Sequence, residues 1–426
     1  MKILHTSDWH LGHALSGKSR LDEFGAFLNW LIALIRARGV EALIVAGDIF
    51  DTGAPSHGAQ QLYFRFLREV ADSPCRHVVV IAGNHDSPSL IEAPREVLQR
   101  LEVHVVGRPR ASVGEGEDAS SLEDEVLSLR GADGAVELIV CAVPYLRDRD
   151  VRLSESGERF EDRAQKLVAG IGAHYARVAA LAERRREEAG EVPIVALGHL
   201  FAAGGVACQD DGVRDLYVGT LAQVPATVFP DSFDYVALGH LHAPQRVGGS
   251  ERIRYSGAPL CMGFGEAGQK KSVCLVEVSR GGATVEAVEV PVFQRISRLS
   301  GGWEDIAREL RALKVADESL WLEVVHEGGE VIGDLRERVA AAVAGSKLEV
   351  LKIVDRRVAA RVMARAFEGE SLDDLSETEV FERCLQAKAA EASEEQRAAL
   401  REAFGEALFM VRAAEAADES GAGGVA

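Results

Sequence analysis

The segment "VVVIAGNHDS" (residues 78–87) joins a strand-like apolar run to a group of polar side chains. Its four β-branched residues favour a buried strand, since such side chains pack well in a pleated sheet. Gly83 then permits a sharp turn, and Asn84, His85 and Asp86 follow it directly. A polar turn would explain this segment alone, so its meaning depends on whether the pattern recurs.

The same layout occurs five times, in "ILHTSDWH" (3–10), "LIVAGD" (43–48), "VVIAGNHD" (79–86), "PIVALGH" (193–199) and "YVALGHLH" (235–242). In each segment an apolar strand ends and a side chain suited to metal binding follows. In four of them a glycine immediately precedes that side chain, namely Gly47, Gly83, Gly198 and Gly239. Ligands of open α/β sheets bind beyond the carboxyl ends of the strands, where these five tips would converge. Five such tips in one chain predict a metal site.

The tips supply seven oxygen or nitrogen donors and no thiolate: Asp8, His10, Asp48, Asn84, His199, His240 and His242. Seven donors are too many for one tetrahedral ion, but they suit two ions about 3.5–4 Å apart that share a carboxylate. Mixed carboxylate, amide and imidazole ligation favours Mn²⁺, Fe²⁺, Co²⁺ or Zn²⁺ over Ca²⁺. A bridging ligand must be anionic and central, and we predict Asp48 in that position.

His85 follows Asn84 directly and is predicted to lie beside the metals without binding them. A histidine in that position can donate a proton to a leaving oxygen. We expect Asp86 to orient the imidazole of His85 or to stabilise its charge, a common arrangement for working histidines.

The other histidines stand outside this pattern and are interpreted as structural: His5, His13, His57, His77, His104, His174 and His326. His13 and His57 lie in loops close enough to the tips to meet a substrate. Leu62, Phe66 and Val70 recur at helical spacing, which predicts a helix face that points into the core.

The length of 426 residues predicts two or three domains, and 47% apolar with 27% charged residues is ordinary globular composition. A net charge of −19 argues against a protein that binds nucleic acid through bulk positive charge, although metals or a basic partner can supply a positive field. Scattered cysteines without a C-x-x-C motif, no secretory leader and no apolar run of about 20 residues predict a cytoplasmic protein without a membrane span.

Short apolar strands alternate with amphipathic helices over the first two-thirds of the chain, which predicts an α/β domain at 1–290. Residues 291–360 predict a small α/β domain, because a helix, a strand, a second helix and a second strand follow one another. Residues 361–426 are rich in alanine and glutamate, and they predict helices followed by a disordered tail.

The ordered motifs D-x-H, GD, GNHD, GH and GHxH resemble those of the calcineurin-like metallophosphoesterase superfamily. Within it the chain is similar to the DNA double-strand-break repair nucleases over nearly its whole length. The segments that carry this narrower similarity are "KILHTSDWHLG" (2–12), "AGDIFDTGAPS" (46–56), "AGNHDSP" (82–88), "YVALGHLHAPQ" (235–245), "YSGAPLCMGFGE" (255–266) and "LDDLSETEVFERCL" (372–385).

The resemblance implies a two-sheet β-sandwich core flanked by helices, a small capping domain that holds DNA, and C-terminal helices that dock on the coiled coil of a partner ATPase. It implies that the seven donors bind two Mn²⁺ ions and that His85 assists phosphodiester cleavage. The implied activities are 3′→5′ exonuclease and single-strand endonuclease, with homodimerisation through helices near 59–71 and 89–101. Archaeal and eukaryotic relatives have a histidine at the position of Asp51, whereas bacterial members have an aspartate there, as this chain does.

Two other functions remain open from the residues. One is a phosphoesterase acting on small molecules or phosphoproteins, although such an enzyme needs neither a capping domain nor a docking tail. The other is a non-enzymatic scaffold, although an intact donor set and His85 speak against it.

Overall fold

The computed structural model of the chain describes residues 1–109, 122–152, 160–202, 224–328 and 332–356, with positions 381, 382, 385, 397, 401 and 404. The helices predicted between 361 and 426 therefore lie almost entirely outside the described residues. The strands are β1 Lys2–Thr6, β2 Ala14–Leu15, β3 Lys18–Ser19, β4 Ala42–Ala46, β5 His77–Ile81, β6 Val103–Val106, β7 Val126–Arg130, β8 Val136–Ala142, β9 Ile194–His199, β10 Tyr235–Gly239, β11 Gln245–Arg246, β12 Ile253–Tyr255, β13 Ser272–Ser279, β14 Gly282–Glu289, β15 Arg295–Gly301, β16 Leu320–His326 and β17 Leu348–Asp355. The helices are α1 Leu21–Arg38, α2 His57–Ala71, α3 Pro88–Glu92, α4 Arg95–Gln99, α5 Asp148–Val151, α6 Phe160–Ala189, α7 Trp303–Ala316 and α8 Leu335–Val343.

Two six-stranded sheets pack against each other, with the strand orders β14-β13-β1-β4-β5-β6 and β11-β12-β10-β9-β8-β7. Successive residues of a strand point to opposite faces, so each sheet has an inner and an outer apolar face. Ile44 of β4 and Leu197 of β9 meet in the core between the sheets, whereas Leu43 points to the outer face of the first sheet. The predicted α/β class with a two-sheet sandwich is confirmed.

Helices cover both outer faces of the sandwich. Phe27 of α1 and Phe66 and Val70 of α2 are buried against the outer face of the first sheet, as the stripe on α2 predicted. Tyr175 of α6 is buried against the second sheet. Full burial of one such side chain stabilises the fold by about 1.5–3 kcal/mol. None of the helices in the described part of the chain is both long enough and apolar enough to span a membrane.

The central strands bring the five polar tips to one edge of the sandwich. β1, β4 and β5 are parallel neighbours in the first sheet, and β9 and β10 are parallel neighbours in the second. Parallel neighbours end at the same edge of their sheet. The two groups of strand ends also meet across the sandwich, because β4 contacts both β9 and β10.

A third sheet contains β15, β16 and β17 in that order, and α7 and α8 lie between its strands in the chain. The helix–strand–helix–strand order predicted for 291–360 is therefore present, with β15 as an additional strand. The chain divides into two compact units, one of residues 1–299, 307–324 and 334–352 and one of residues 300–306, 325–333 and 353–426. Both six-stranded sheets belong to the first unit. The domain boundaries placed at 290 and 360 stay predictions.

Candidate metal centre

Unusual backbone conformations place several of the predicted ligands directly after their strands. Asp8, His10, Asp48 and His240 have φ angles of 53°, 47°, 50° and 103°. Residues other than glycine rarely adopt this left-handed region, and such conformations cluster at functional sites. Backbone hydrogen bonds hold the first two turns together, since the amide of Asp8 donates to the carbonyl of Gly47 and that of His10 to the carbonyl of Asp48, both at 3.0 Å.

The glycines of the tips are required by close approach. A Cβ atom at Gly83 would collide with the carboxylate of Asp48, and one at Gly47 would collide with the ring of His199. Gly47 also has a φ angle of 88°, which a side chain would strain. At both positions the backbone packs so closely against the predicted ligands that only glycine fits.

Asp8, His10 and His242 form the first group of donors, and their ligand atoms lie within 4.8 Å of one another. Nε2 of His10 lies 3.2 Å from Nε2 of His242 and 3.6 Å from Oδ2 of Asp48. Two ring nitrogens that face each other require a proton or a cation between them, because neutral nitrogens would present two lone pairs.

The second group of donors contains His199, Asn84 and His240. Oδ1 of Asn84 lies 3.0 Å from Nε2 of His199 and 3.1 Å from Nδ1 of His240. Nε2 of His199 also lies 3.3 Å from Oδ2 of Asp48. Nδ1 of His199 bonds the carbonyl of Ala46 at 2.9 Å, which directs Nε2 towards the other donors.

The structure therefore places all seven predicted ligand residues in one cluster, with Asp48 next to both groups. Every member except the half-buried Asn84 is buried. Their role as metal ligands stays a prediction, which the chemistry of the donor set can test.

Electrostatics within the cluster fit a cation. Burial raises the pKa of Asp48, but the imidazoles of His199 and His10 outweigh burial and hold that pKa well below its usual range. Burial lowers the pKa of His199, but the Asp48 carboxylate outweighs it and raises the pKa to about 9. A proton on the imidazole of His199 thus balances the central carboxylate of Asp48. Divalent ions bound by neutral imidazoles would take over that charge, so the residues present fit such ions.

His85 lies beside the cluster in a fixed orientation. Its ring is 4.8 Å from the ring of His10, and its backbone amide donates to Oδ1 of Asp48 at 2.9 Å. Nδ1 of His85 lies 2.8 Å from the carbonyl oxygen of Asp51, to which it donates because a carbonyl can only accept. The opposite ring nitrogen, Nε2, is left for a substrate, as the predicted role of His85 requires.

Asp86 differs from its predicted role of orienting His85. Its buried carboxylate accepts hydrogen bonds from the backbone amides of Ile49, Phe50 and Gly83 at 3.1, 3.0 and 2.9 Å. Burial and the nearby Asp48 raise its pKa to about 6, while the three amides act in the opposite direction. Asp86 therefore ties together the loops after β4 and β5, and the carbonyl of Asp51 orients His85.

The pattern of strand ends missed two residues that support His242. Oε1 of Glu266 lies 3.5 Å from Nδ1 of His242, and Nζ of Lys271 lies 2.7 Å from Oε2 of Glu266. A carboxylate behind a ligating imidazole fixes its orientation and raises its basicity. Glu266 follows no strand tip, so only its place in the similar segment 255–266 could have indicated it.

The remaining histidines near the centre are structural. Nδ1 of His13 lies 3.0 Å from the Asp51 carboxylate, and Nε2 lies 2.9 Å from the carbonyl of Met262. His5 is buried, and its ring nitrogens bond the Tyr235 hydroxyl and the Leu238 carbonyl. Both nitrogens of each ring therefore have a hydrogen-bond partner within the protein, as the structural interpretation of these histidines requires.

Comparisons with known proteins agree with this geometry. The family model "Calcineurin-like phosphoesterase" matches residues 1–244, and "Type 5 capsule protein repressor C-terminal domain" matches residues 292–389. The SbcD subunit of the nuclease SbcCD from Escherichia coli K12 is 37% identical over 93% of this chain and 96% of its own length. The SbcD subunit of Rhodobacter capsulatus is 38% identical over 68% of this chain and 69% of its own length. The SbcD subunit of Bacillus subtilis is 32% identical over 76% of this chain and 82% of its own length.

Proposed function

Because the chain belongs to the calcineurin-like phosphoesterase family, among the SbcD subunits of SbcCD nucleases, we propose that it is the Mn²⁺-dependent DNA nuclease subunit of a complex with an SbcC-type ATPase. The proposed activities are 3′→5′ double-strand exonuclease and single-strand or hairpin endonuclease, used in the repair, recombination and replication of DNA in the cytoplasm. The observation that carries the proposal is the convergence of six donors around the seventh, Asp48, with His85 held beside them.

The two groups of donors suggest how two ions are held. Asp8, His10 and His242 would hold one ion, and Asn84, His199 and His240 would hold the other. Asp48 would bridge them, since it lies 3.6 Å from His10 and 3.3 Å from His199. Oxygen and imidazole donors without a thiolate suit Mn²⁺.

The chain's own residues position the substrate and supply a proton. When bound, the two ions lower the pKa of a water nucleophile and neutralise charge on the scissile phosphate. The Asp51 carbonyl accepts from Nδ1–H of His85, so it also stabilises the protonated imidazole. From that form Nε2–H gives its proton to the leaving oxygen, and such acid catalysis contributes about 10²–10⁴-fold to the rate.

The proposed homodimer rests on three exposed apolar side chains in these two segments, Phe64, Val97 and Leu101. These side chains belong to the helices near 59–71 and 89–101 or directly follow them, and they are 39%, 68% and 41% exposed. Beside Phe64 is a cavity lined by Tyr63, whose buried hydroxyl has no hydrogen-bond partner among the described residues. The same cavity is lined by Phe64 from α2 and by Leu90 and Pro94 from the segment 89–101, so apolar side chains of both segments meet there.

The decisive experiment is cleavage of end-labelled DNA by the purified chain, with and without an SbcC-type ATPase, in Mn²⁺ or Mg²⁺. His85→Ala is compared with Asp72→Ala, a change at an exposed residue at the end of α2. We expect cleavage with Mn²⁺ by the wild type and by Asp72→Ala. The His85→Ala variant should bind metal equally well but cleave at least about 100-fold more slowly. No cleavage with either metal in either preparation would refute the proposal, and full activity of His85→Ala would refute the role of that residue.

A further inference from the structure

A second group of metal-binding side chains lies at the opposite end of β5 from Asn84. His77, Glu102 and His104 each offer one ligand atom, and these atoms lie within 4.8 Å of one another. His77 begins β5 and Asn84 follows its end, so the extended chain between them separates this group from the candidate centre by about 20 Å. The group therefore shares no ligand with that centre.

The tautomer of His77 leaves a buried lone pair aimed at this group. Nε2 of His77 lies 2.8 Å from the carbonyl oxygen of Arg130, so Nε2 carries the hydrogen, because a carbonyl can only accept. In the neutral ring Nδ1 is then an acceptor. The side chain is 8% exposed, and its buried Nδ1 atom has no hydrogen-bond partner among the described residues. Buried polar atoms of this kind are rare in folded proteins and require an explanation.

Glu102 and His104 complete the group because the sheet holds them next to His77. β5 and β6 are parallel, with Val78 opposite Val103 and Val79 opposite His104. The amide of Val78 donates to the carbonyl of Glu102 at 3.0 Å, which fixes Glu102 beside the start of β5.

The distances suit a small divalent ion. Oε2 of Glu102 lies 3.6 Å from Nδ1 of His77 and 3.8 Å from Nε2 of His104. Ligand atoms around tetrahedral Zn²⁺ are about 3.4 Å apart, given bonds of roughly 2.0–2.2 Å. The Glu102 side chain is 62% exposed and free to close a gap of a few tenths of an ångström.

We propose that His77, Glu102 and His104 form a Zn²⁺ site, with water in the fourth position. A His–Glu ion pair alone would explain the group only with a protonated His77, and no hydrogen bond links that ring to Glu102 at 3.6 Å. Two imidazoles and one carboxylate form a donor set that prefers Zn²⁺ to Mn²⁺, since affinity rises from Mn²⁺ towards the later metals.

A bound ion would clamp the edge of the first sheet. β6 is an edge strand in the strand order, and a bond network from His77 through the ion to His104 would link it to β5. Exposed edge strands pair readily with other chains, so such a clamp would also keep the edge in place. The inference is independent of the proposed nuclease activity, because it concerns other residues and another metal.

The test is the zinc content of the full-length protein after chelator treatment and dialysis against Zn²⁺ at pH 7.5, measured by inductively coupled plasma mass spectrometry. His104→Ala and Glu102→Ala are compared with the control His57→Ala, and circular dichroism checks the fold. We expect each of the two variants to hold one zinc ion fewer per chain than the control. Cleavage of DNA in Mn²⁺ should be unchanged, since the site is remote from the candidate centre.

Glu102→Ala keeps the test open if His104→Ala fails to fold, because Glu102 is an exposed residue outside the core. Equal zinc content in Glu102→Ala and the control would overturn the proposal and leave the ion pair as the explanation. A loss of zinc without a loss of activity supports it. Inactivity of the wild type would refute the nuclease proposal alone, because the difference in zinc between the variants does not depend on it.

Discussion

Replacing Asp86 with alanine should open the loops that carry the central ligands, although Asp86 itself binds no metal in the proposed centre. Its carboxylate is the shared acceptor for three buried amides, those of Ile49, Phe50 and Gly83. Asp86→Ala would leave these three buried amides without a hydrogen-bond partner. The loop after β4 also carries Asp48, and the loop after β5 carries Asn84.

The size of the effect follows from the number of bonds. A hydrogen bond to a charged group contributes about 1.5–3 kcal/mol, and an unsatisfied buried donor costs about 1–3 kcal/mol. Three bonds that share one acceptor are not additive, so we expect a loss of at least about 3 kcal/mol in the free energy of local opening. That loss corresponds to roughly a hundredfold faster exchange of the affected amides, at about 1.4 kcal/mol per tenfold change. Asp86→Asn keeps one acceptor oxygen and should lose less.

Hydrogen–deuterium exchange followed by mass spectrometry measures this opening locally, so it does not require the whole chain to unfold in one step. The peptides of interest cover residues 47–51 and 82–86. Asp72→Ala is the matched control, because Asp72 is exposed at the end of α2 and its loss should change little. Exchange in Asp86→Ala within about threefold of the wild type would show that these bonds do not hold the loops.

Three further predictions concern the candidate centre and the proposed dimer. Asp48→Asn should abolish stable binding of two Mn²⁺ ions in equilibrium dialysis, because the anionic neighbour of both donor groups is lost; binding of two ions at wild-type affinity would contradict a bridging role. Glu266→Gln should weaken metal affinity by about 10–100-fold in a competition titration, because Glu266 supports His242, and an unchanged affinity would show that His242 needs no such support. Phe64→Glu combined with Val97→Glu should shift the protein from dimer to monomer in sedimentation velocity without changing its circular dichroism, and an unchanged mass would exclude these side chains from the interface.

The convergence of these seven side chains could be predicted from the sequence because each one lies within a contiguous local pattern. An apolar strand, a glycine and a polar residue determine where a strand ends and which side chain emerges there. The parallel order of β1, β4 and β5 then brings separate tips together without any further information from side chains. The position of a residue next to a ligand in the sequence is a poorer guide to where its side chain points, as Asp86 shows. The tight turn after Gly83 points Asn84 towards the cluster and Asp86 back towards the amides of the β4 loop.

Features that depend on distant contacts could not be predicted in the same way. Glu266 lies in a short turn rather than at a strand end, and only the packing of that turn against His242 gives it a role. The alternating strand–helix pattern did not predict β13 and β14, because these strands form an antiparallel hairpin through a turn at Gly281, whose φ angle is 87°. The grouping of His77 and His104 with Glu102 could not be predicted either, because only the pairing of β5 with β6 brings the three together.

The net charge of −19 and a nucleic-acid substrate are compatible if positive charge is concentrated at the centre. Asp8 and Asp48 contribute two negative charges to the cluster, and its other five donors are neutral when they bind metal. Two divalent ions would therefore give the ions and their seven ligands together a charge of about +2, which a bound phosphate would face directly. DNA would then gain its binding energy at the metal centre, where a phosphate is bound, and the acidic surface would oppose non-specific adsorption of DNA elsewhere.

This distribution of charge predicts that removal of the metals by a chelator abolishes DNA binding as well as cleavage by the isolated chain, which a gel-shift titration with and without chelator would measure. Undiminished binding in chelator would instead place the main DNA contacts on arginine and lysine side chains outside the centre.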